Sequence, residues 1–152
     1  MLYPAPTTKI DAALARGVLE SVPAGGRDSG HVVISFPNTN YQTHLVLAAP
    51  ITGEIGKRIL GTISVDARRV DAVDTGGKYI EPVYGRPRRV QGRVISHNDS
   101  ARTLVVDAGI PIHLHLLDER QRPSGFPDGE LVSCDVLDGA TFTQAPTPAH
   151  AD

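Results

Sequence analysis

Cysteine is nearly absent from this chain of 152 residues, and Cys134 is its single thiol. One thiol excludes an intramolecular disulfide, and it also excludes a metal cluster held by several cysteines. A surplus of charge is lacking as well, because 15 lysine and arginine residues stand against 17 acidic residues, for a net charge of −2. This balance gives no general reason to expect nucleic acid or an anionic membrane as a partner.

Targeting signals and catalytic motifs are also missing. The opening MLYPAPTTKID has neither a basic region nor an apolar one, so we expect no signal peptide. No apolar run reaches the length of a membrane-spanning helix. The sequence contains no GxSxG, P-loop or HExxH motif. These absences predict a cytoplasmic protein that needs no membrane and is not an enzyme.

What the chain does have is glycine and proline, at 15 and 12 residues, together with short runs in which apolar and polar residues alternate. Such a composition favours short strands and many turns. HVVISF, YQTHLVL and IPIHLHL each place their apolar residues on one face of a strand. We therefore predict an all-β fold, a small barrel or sandwich, preceded by one short helix in TTKIDAALARG that ends at Gly17.

An internal duplication is indicated when residues 41–67 are laid over residues 110–136 without a gap. Upstream, GVLESV matches GRVISH and HVVISF matches TLVVDA in the same order. The duplicated pattern predicts either two open barrels in tandem, similar in strand pattern to oligonucleotide-binding (OB) barrels, or one pseudo-twofold barrel. The identical pairs are His44/His113, Leu45/Leu114, Leu47/Leu116, Gly56/Gly125, Ser64/Ser133 and Asp66/Asp135.

These patterns divide the chain into five predicted segments. They are a helical segment at 1–16, a first barrel-like repeat at 17–75, a Pro/Arg-rich connector or edge strand at 76–91, a second repeat at 92–142, and a disordered tail at 143–152.

The stretch GIPIHLHLLD contains the first candidate site. His113 and His115 are two residues apart on a predicted strand, so they project from the same face. Imidazoles at this spacing can share a zinc, nickel or copper ion, and His44 would supply a third ligand through the duplication. The simpler interpretation places both histidines on the outer face of the strand as ordinary polar residues.

The second candidate site is the stretch KYIEPVYGRPRRVQGR, which mixes arginine with tyrosine. Guanidinium groups pair with phosphates, and tyrosine rings stack on unpaired bases. The stretch therefore predicts a binding site for single-stranded nucleic acid, or else a charged connector stiffened by proline. Its candidate residues are Tyr79, Tyr84, Arg86, Arg88, Arg89 and Arg93.

Cys134 aligns with the apolar Val65 in the duplication, so we predict a buried hydrophobic side chain rather than a nucleophile. Taken together, the sequence favours a non-enzymatic binding or assembly module that contacts a protein partner or a second copy of itself, because self-association is a common way to cover open strand edges. Oligonucleotide binding and histidine-ligated metal binding remain the two alternatives.

Overall fold

The computed structural model describes residues 12–23 and 30–145 and confirms an all-β protein. Within these residues the helical content is one 3₁₀ turn, Pro123–Gly125, and no helix is long enough to cross a membrane. The strands are β1 Ala15–Ser21, β2 His31–Ser35, β3 Gln42–Leu47, β4 Arg58–Ala72, β5 Tyr79–Glu81, β6 Tyr84–Gly85, β7 Arg89–Asn98, β8 Thr103–Asp107, β9 Pro111–Leu116, β10 Leu131–Val136 and β11 Thr141–Gln144.

The pairing of these strands forms two rings that share the long strand β4. In the first ring, β1, β2, β3, β11 and the beginning of β4 pair in turn, and β4 pairs again with β1. In the second ring, β7, β8, β9, the end of β4 and β10 pair in turn, and β10 pairs again with β7. Each ring thus contains one strand from the other half of the chain, β11 in the first ring and the end of β4 in the second. The sequence left open either two barrels in tandem or one pseudo-twofold barrel. The structure has features of both, because two rings of strands belong to a single 11-stranded sheet.

The duplication is visible in the register of the strands. β1 pairs with β2, and β7 pairs with β8, in the same antiparallel sense. Both pairs have an irregularity at the corresponding place, between Leu19 and Ser21 in β1 and between Val94 and Ser96 in β7. A shared bulge position is a specific feature of the backbone, so it supports a repeated unit more strongly than the identities do.

The ungapped alignment is wrong, however, for the fourth strand of the repeat. Gly17 lies opposite Ile59, and its counterpart Gly92 lies opposite Val132, so Val132 corresponds to Ile59 and not to Ile63. The first copy keeps β4 as one continuous strand, whereas the second copy breaks the equivalent path into β10 and β11. The break includes Gly139, whose φ of 110° favours glycine.

Two segment boundaries also need correction. Residues 7–11 of the predicted helix lie outside the described residues, but residues 12–14 form a turn and β1 begins at Ala15. Ala15 is fully buried opposite Gly61, so closing the first ring requires extended backbone where the helix was expected to end. The predicted tail is wrong at its start, because Thr143 and Gln144 belong to β11 and pair with β4. The remainder of that tail lies outside the described residues beyond Ala145.

One hydrophobic core contains side chains from both halves of the chain. The alternation in IPIHLHL is confirmed, since Ile112 and Leu114 are completely buried. Tyr41 links the halves: its hydroxyl donates a hydrogen bond to the carbonyl of Ala108 (2.9 Å) and accepts one from the amide of Ile80 (3.0 Å). Burial is the largest influence on this phenol and raises the pKa of Tyr41.

Candidate functional site

The Tyr/Arg-rich segment forms β5, β6 and the beginning of β7, next to the turn that joins β10 to β11. An open groove of about 620 Å³ is bordered by the end of β5, the start of β7, the end of β10 and the turn after β10. We call it the mixed-charge groove, because its charged lining contains three basic and three acidic residues: Arg68, Arg88, Arg89, Glu81, Asp135 and Asp138.

Two of the predicted arginines are paired with carboxylates in or beside this groove. Arg89 donates from Nη1 to Asp135 (2.6 Å) and from Nη2 to the hydroxyl of Ser133 (2.9 Å). The pKa of Arg89 is raised, most strongly by its contact with Tyr79 and next by its hydrogen bond with Asp135. Arg86 donates from Nη1 to Asp138 at 3.0 Å. The two carboxylates therefore compete with a phosphate backbone for the guanidinium groups of Arg86 and Arg89.

The other predicted residues differ in availability. Arg88 is exposed, and its guanidinium has no hydrogen-bond or ionic partner among residues 12–23 and 30–145. Tyr79 is partly buried and donates its hydroxyl hydrogen to Gln91 (3.1 Å). Arg93 lies apart from the groove and donates to the carbonyl of Gly129 (2.9 Å). Among the candidate arginines, Arg88 is thus the one that is exposed without a side-chain partner in the described residues.

Val83 and Tyr84 form an exposed apolar step beside the groove. Their exposed fractions are 47% and 65%, the latter the highest among the exposed large hydrophobic residues described. The Tyr84 ring meets the ring of His44 edge to face, with centroids 5.2 Å apart and an interplanar angle of 63°. The backbone of Tyr84 pairs with Gln42 of β3. The exposed ring is therefore held in place by the first ring of strands rather than left on a free loop.

The three candidate metal ligands have separate environments. His113 donates from Nε2 to the carbonyl of Ala13 (2.8 Å), which anchors the chain just before β1. His115 pairs through Nδ1 with Asp66 (3.1 Å) on the adjacent strand. The Nε2 atom of His44 is buried and has no hydrogen-bond partner among the residues that the structure describes. No group of three or more possible metal ligands occurs within the described ranges, so the structure does not bring these histidines together as one ligand set.

Cys134 is buried as predicted, although the strand register makes Gly61, and not Val65, its counterpart in the first repeat. Its side chain is 2% exposed, and burial raises its pKa to about 12. A thiol with this pKa carries almost no thiolate at neutral pH, and the thiolate is the reactive form. Cys134 therefore acts as a core side chain.

The candidate site residues chosen from the sequence do not include several residues of the mixed-charge groove. Arg68 comes from the second half of β4, shortly before the segment 76–91, and Asp138 comes from the turn after β10, far beyond that segment in sequence. The turn signal DGA at 138–140 marks the loop, but no local pattern indicates which strand it meets. The groove depends on the antiparallel pairing of β10 with β4 and with β7, and these are long-range contacts.

Comparison with protein-family models, with curated proteins and with solved structures gave no match to this chain. The residues and their geometry are thus the basis for assigning a function.

Proposed function

We propose that this chain is a non-enzymatic assembly module that associates with a second copy of itself. The contact surface is the mixed-charge groove together with the step of Val83 and Tyr84. The observation that supports it best is that a groove with equal numbers of basic and acidic residues lies beside a tyrosine that is 65% exposed.

Charge balance favours a second copy over a polyanion. In a twofold interface the same surface patch lies on both subunits, so each charge must find an opposite charge on the same patch of the partner. The groove can meet this condition, because Arg88 and Glu81 lie side by side and are joined by a backbone hydrogen bond from the amide of Arg88 to the carbonyl of Glu81 (2.8 Å). A nucleic acid would instead approach Glu81, Asp135 and Asp138 with its phosphates.

The composition of the surface also fits a protein contact. Tyrosine and arginine are enriched among the residues that contribute most to protein interfaces, where an apolar centre is surrounded by a polar rim. Val83 and Tyr84 supply that centre, and the groove supplies the rim. Because β3 holds the backbone of Tyr84 in place, little conformational entropy would be lost when the ring is covered.

Oligonucleotide binding remains the alternative, and the five-stranded rings are the feature that favours it. In OB barrels the ligand contacts the face of the second and third strands and the adjoining loops. The second and third strands of the two rings are β2, β3, β8 and β9. These strands contain no arginine, lysine, tyrosine or phenylalanine. They thus offer no permanently charged cation for phosphates and no aromatic ring other than histidine for stacking on bases, which makes self-assembly the better proposal.

The test is a charge exchange between two variants, followed by sedimentation velocity and native mass spectrometry. Arg88→Glu and Glu81→Lys each place like charges opposite one another in a twofold contact, so we expect each variant alone to be monomeric. Mixing them restores opposite charges across the interface, so we expect a heterodimer. Tyr84→Ala should dissociate the wild-type dimer.

Leu117→Ser is the matched control, because Leu117 is 40% exposed but does not line the groove, and it should leave the dimer unchanged. A wild-type chain that stays monomeric at 100 µM would overturn the proposal, and so would variants that fail to reassociate on mixing. Binding of a labelled 12-mer of deoxythymidine that weakens steeply with salt would support the nucleic-acid alternative.

A further inference from the structure

A second groove of about 510 Å³ lies on the outer face of the first ring, between β1, the turn from β2 to β3, and β4. Its lining includes two arginines and no acidic residue. The residues that matter here are Arg16, Arg58, Pro37, Asn38 and Leu60. We call it the Arg16 groove.

The strand register brings the two arginines of this groove together. Arg16 lies opposite Leu60, and Arg58 lies opposite Val18, in the antiparallel pair β1–β4. The arginines are therefore diagonal neighbours on the same outward face, a position at which Cα atoms are about 7–8 Å apart. Long side chains at this separation can reach the same anion. Both residues are exposed, and neither has an acidic partner in the part of the chain that the structure describes.

The second half of the chain shows how the equivalent surface is covered. Gln91 occupies the place of Arg16 in the repeat and lies opposite Ser133. The chain just before β5 and at its start lies over Gln91. The side-chain Nε2 of Gln91 donates to the carbonyl of Gly77 (2.9 Å), and its Oε1 accepts from the hydroxyl of Tyr79 (3.1 Å). Gln91 is consequently only 5% exposed. Extended chain therefore covers this face in one repeat, while in the other repeat the described residues leave the same face as an open groove.

We infer that the Arg16 groove binds an extended acidic peptide segment of a partner protein. Arg16 and Arg58 bind its carboxylates, because guanidinium groups form bidentate, charge-assisted hydrogen bonds with them. The side-chain amide of Asn38 is an additional donor, and the exposed surfaces of Pro37 and Leu60 contact apolar side chains of the peptide. This inference does not depend on self-assembly, which uses a different face.

The test measures binding of a fluorescein-labelled eight-residue peptide in which glutamate and leucine alternate. We expect fluorescence anisotropy to show saturable binding that weakens with salt, and no binding of the same peptide with lysine in place of glutamate. Arg16→Gln and Arg58→Gln should each reduce affinity about tenfold, which corresponds to one charge-assisted hydrogen bond. The double variant should lose less than the product of the two effects if both arginines hold the same carboxylate.

Arg122→Gln is the matched control, since Arg122 is exposed and does not line the Arg16 groove. It should leave the affinity unchanged. The inference is overturned if the acidic peptide does not bind at 1 mM, if the lysine peptide binds equally well, or if Arg122→Gln weakens binding as much as Arg16→Gln does. Thermal unfolding of each variant confirms that it is folded, and sedimentation of the same samples shows separately whether self-association is retained.

Discussion

Gly17 and Gly92 occupy the same position in the two repeats, and each lies directly against the backbone of the adjacent strand. A Cβ atom on Gly17 would be 2.7 Å from the carbonyl oxygen of Ser35, and a Cβ atom on Gly92 would overlap the carbonyl oxygen of Asp107. We predict that Gly17→Ala and Gly92→Ala each destabilise the protein by about 1–3 kcal/mol, because backbone and core must shift to admit the methyl group. Urea unfolding curves measure the loss.

Gly125→Ala provides the control for these substitutions, since a Cβ atom there would have no described residue within 4 Å other than its chain neighbours. Its unfolding midpoint should stay close to that of the wild type. If the variants at positions 17 and 92 were as stable as this control, the close packing at the repeated glycines would be contradicted.

Phe142 should be among the most sensitive core positions. It belongs to β11, is 1% exposed, and its ring lies against Gly61 of β4. We predict that Phe142→Ala costs about 3–5 kcal/mol, the range for deleting a buried aromatic ring.

Chemical denaturation followed by tyrosine fluorescence and by circular dichroism should show one shared transition, because β11 closes a ring built mainly from the other half. Two separate transitions would indicate that the halves fold independently.

Cys134 should resist thiol reagents in the folded protein. Its pKa of about 12 and its burial leave neither thiolate nor access at pH 8. We expect negligible reaction with a chromogenic disulfide reagent over an hour under native conditions, and complete reaction within minutes in 6 M guanidinium chloride. Rapid labelling without denaturant would show that β10 opens readily.

The carboxylate of Asp107 should contribute to acid sensitivity. Burial alone would raise its pKa, but hydrogen bonds from the ammonium of Lys78 (2.8 Å) and the amide of Gly109 (2.9 Å) outweigh burial and lower the pKa below 3.8. A carboxyl group with a lowered pKa in the folded state stabilises that state above its unfolded pKa, and this contribution is lost as the pH falls through the folded pKa. Stability should therefore decrease below about pH 4.

Asp107→Asn tests this assignment through urea unfolding at pH 7 and at pH 3. The variant should lose less stability between these two pH values than the wild type does. A residual acid dependence is expected, because hydrogen bonds from Ser124 and from Arg120 lower the pKa values of Asp99 and Asp118. Identical pH dependence in variant and wild type would contradict a contribution from Asp107.

The sequence predicts the strands well where the alternation of apolar and polar residues has a period of two. HVVISF and IPIHLHL became β2 and β9 with their apolar faces buried, because side chains alternate between the two faces of any strand. The strand β11 was missed, since TFTQ is short and follows a glycine-containing turn. The exchange of strands between halves could not be predicted, because local periodicity contains no information about the pairing partner of a strand.

The candidate sites show the same contrast between features that local sequence predicts and features that depend on long-range strand pairing. Arg86, Arg88 and Tyr84 could be selected from sequence as exposed and charged or aromatic. The carboxylates of Asp135 and Asp138, which change a basic stretch into a mixed-charge groove, come from another part of the chain. Likewise, the separation of Arg16 and Arg58 by 42 positions in sequence conceals that they are neighbours across β1 and β4.

The strand shared by the two rings has a consequence for synthesis of the protein. The first ring is closed by β11, the last described strand, so its hydrogen bonds are incomplete until the ribosome has translated residue 144. Until then the last residues of β3 and the beginning of β4 each present an unpaired edge, which is the kind of surface that chaperones bind and that initiates aggregation. A chain that stalls or is cleaved before residue 141 therefore damages the half that was already made.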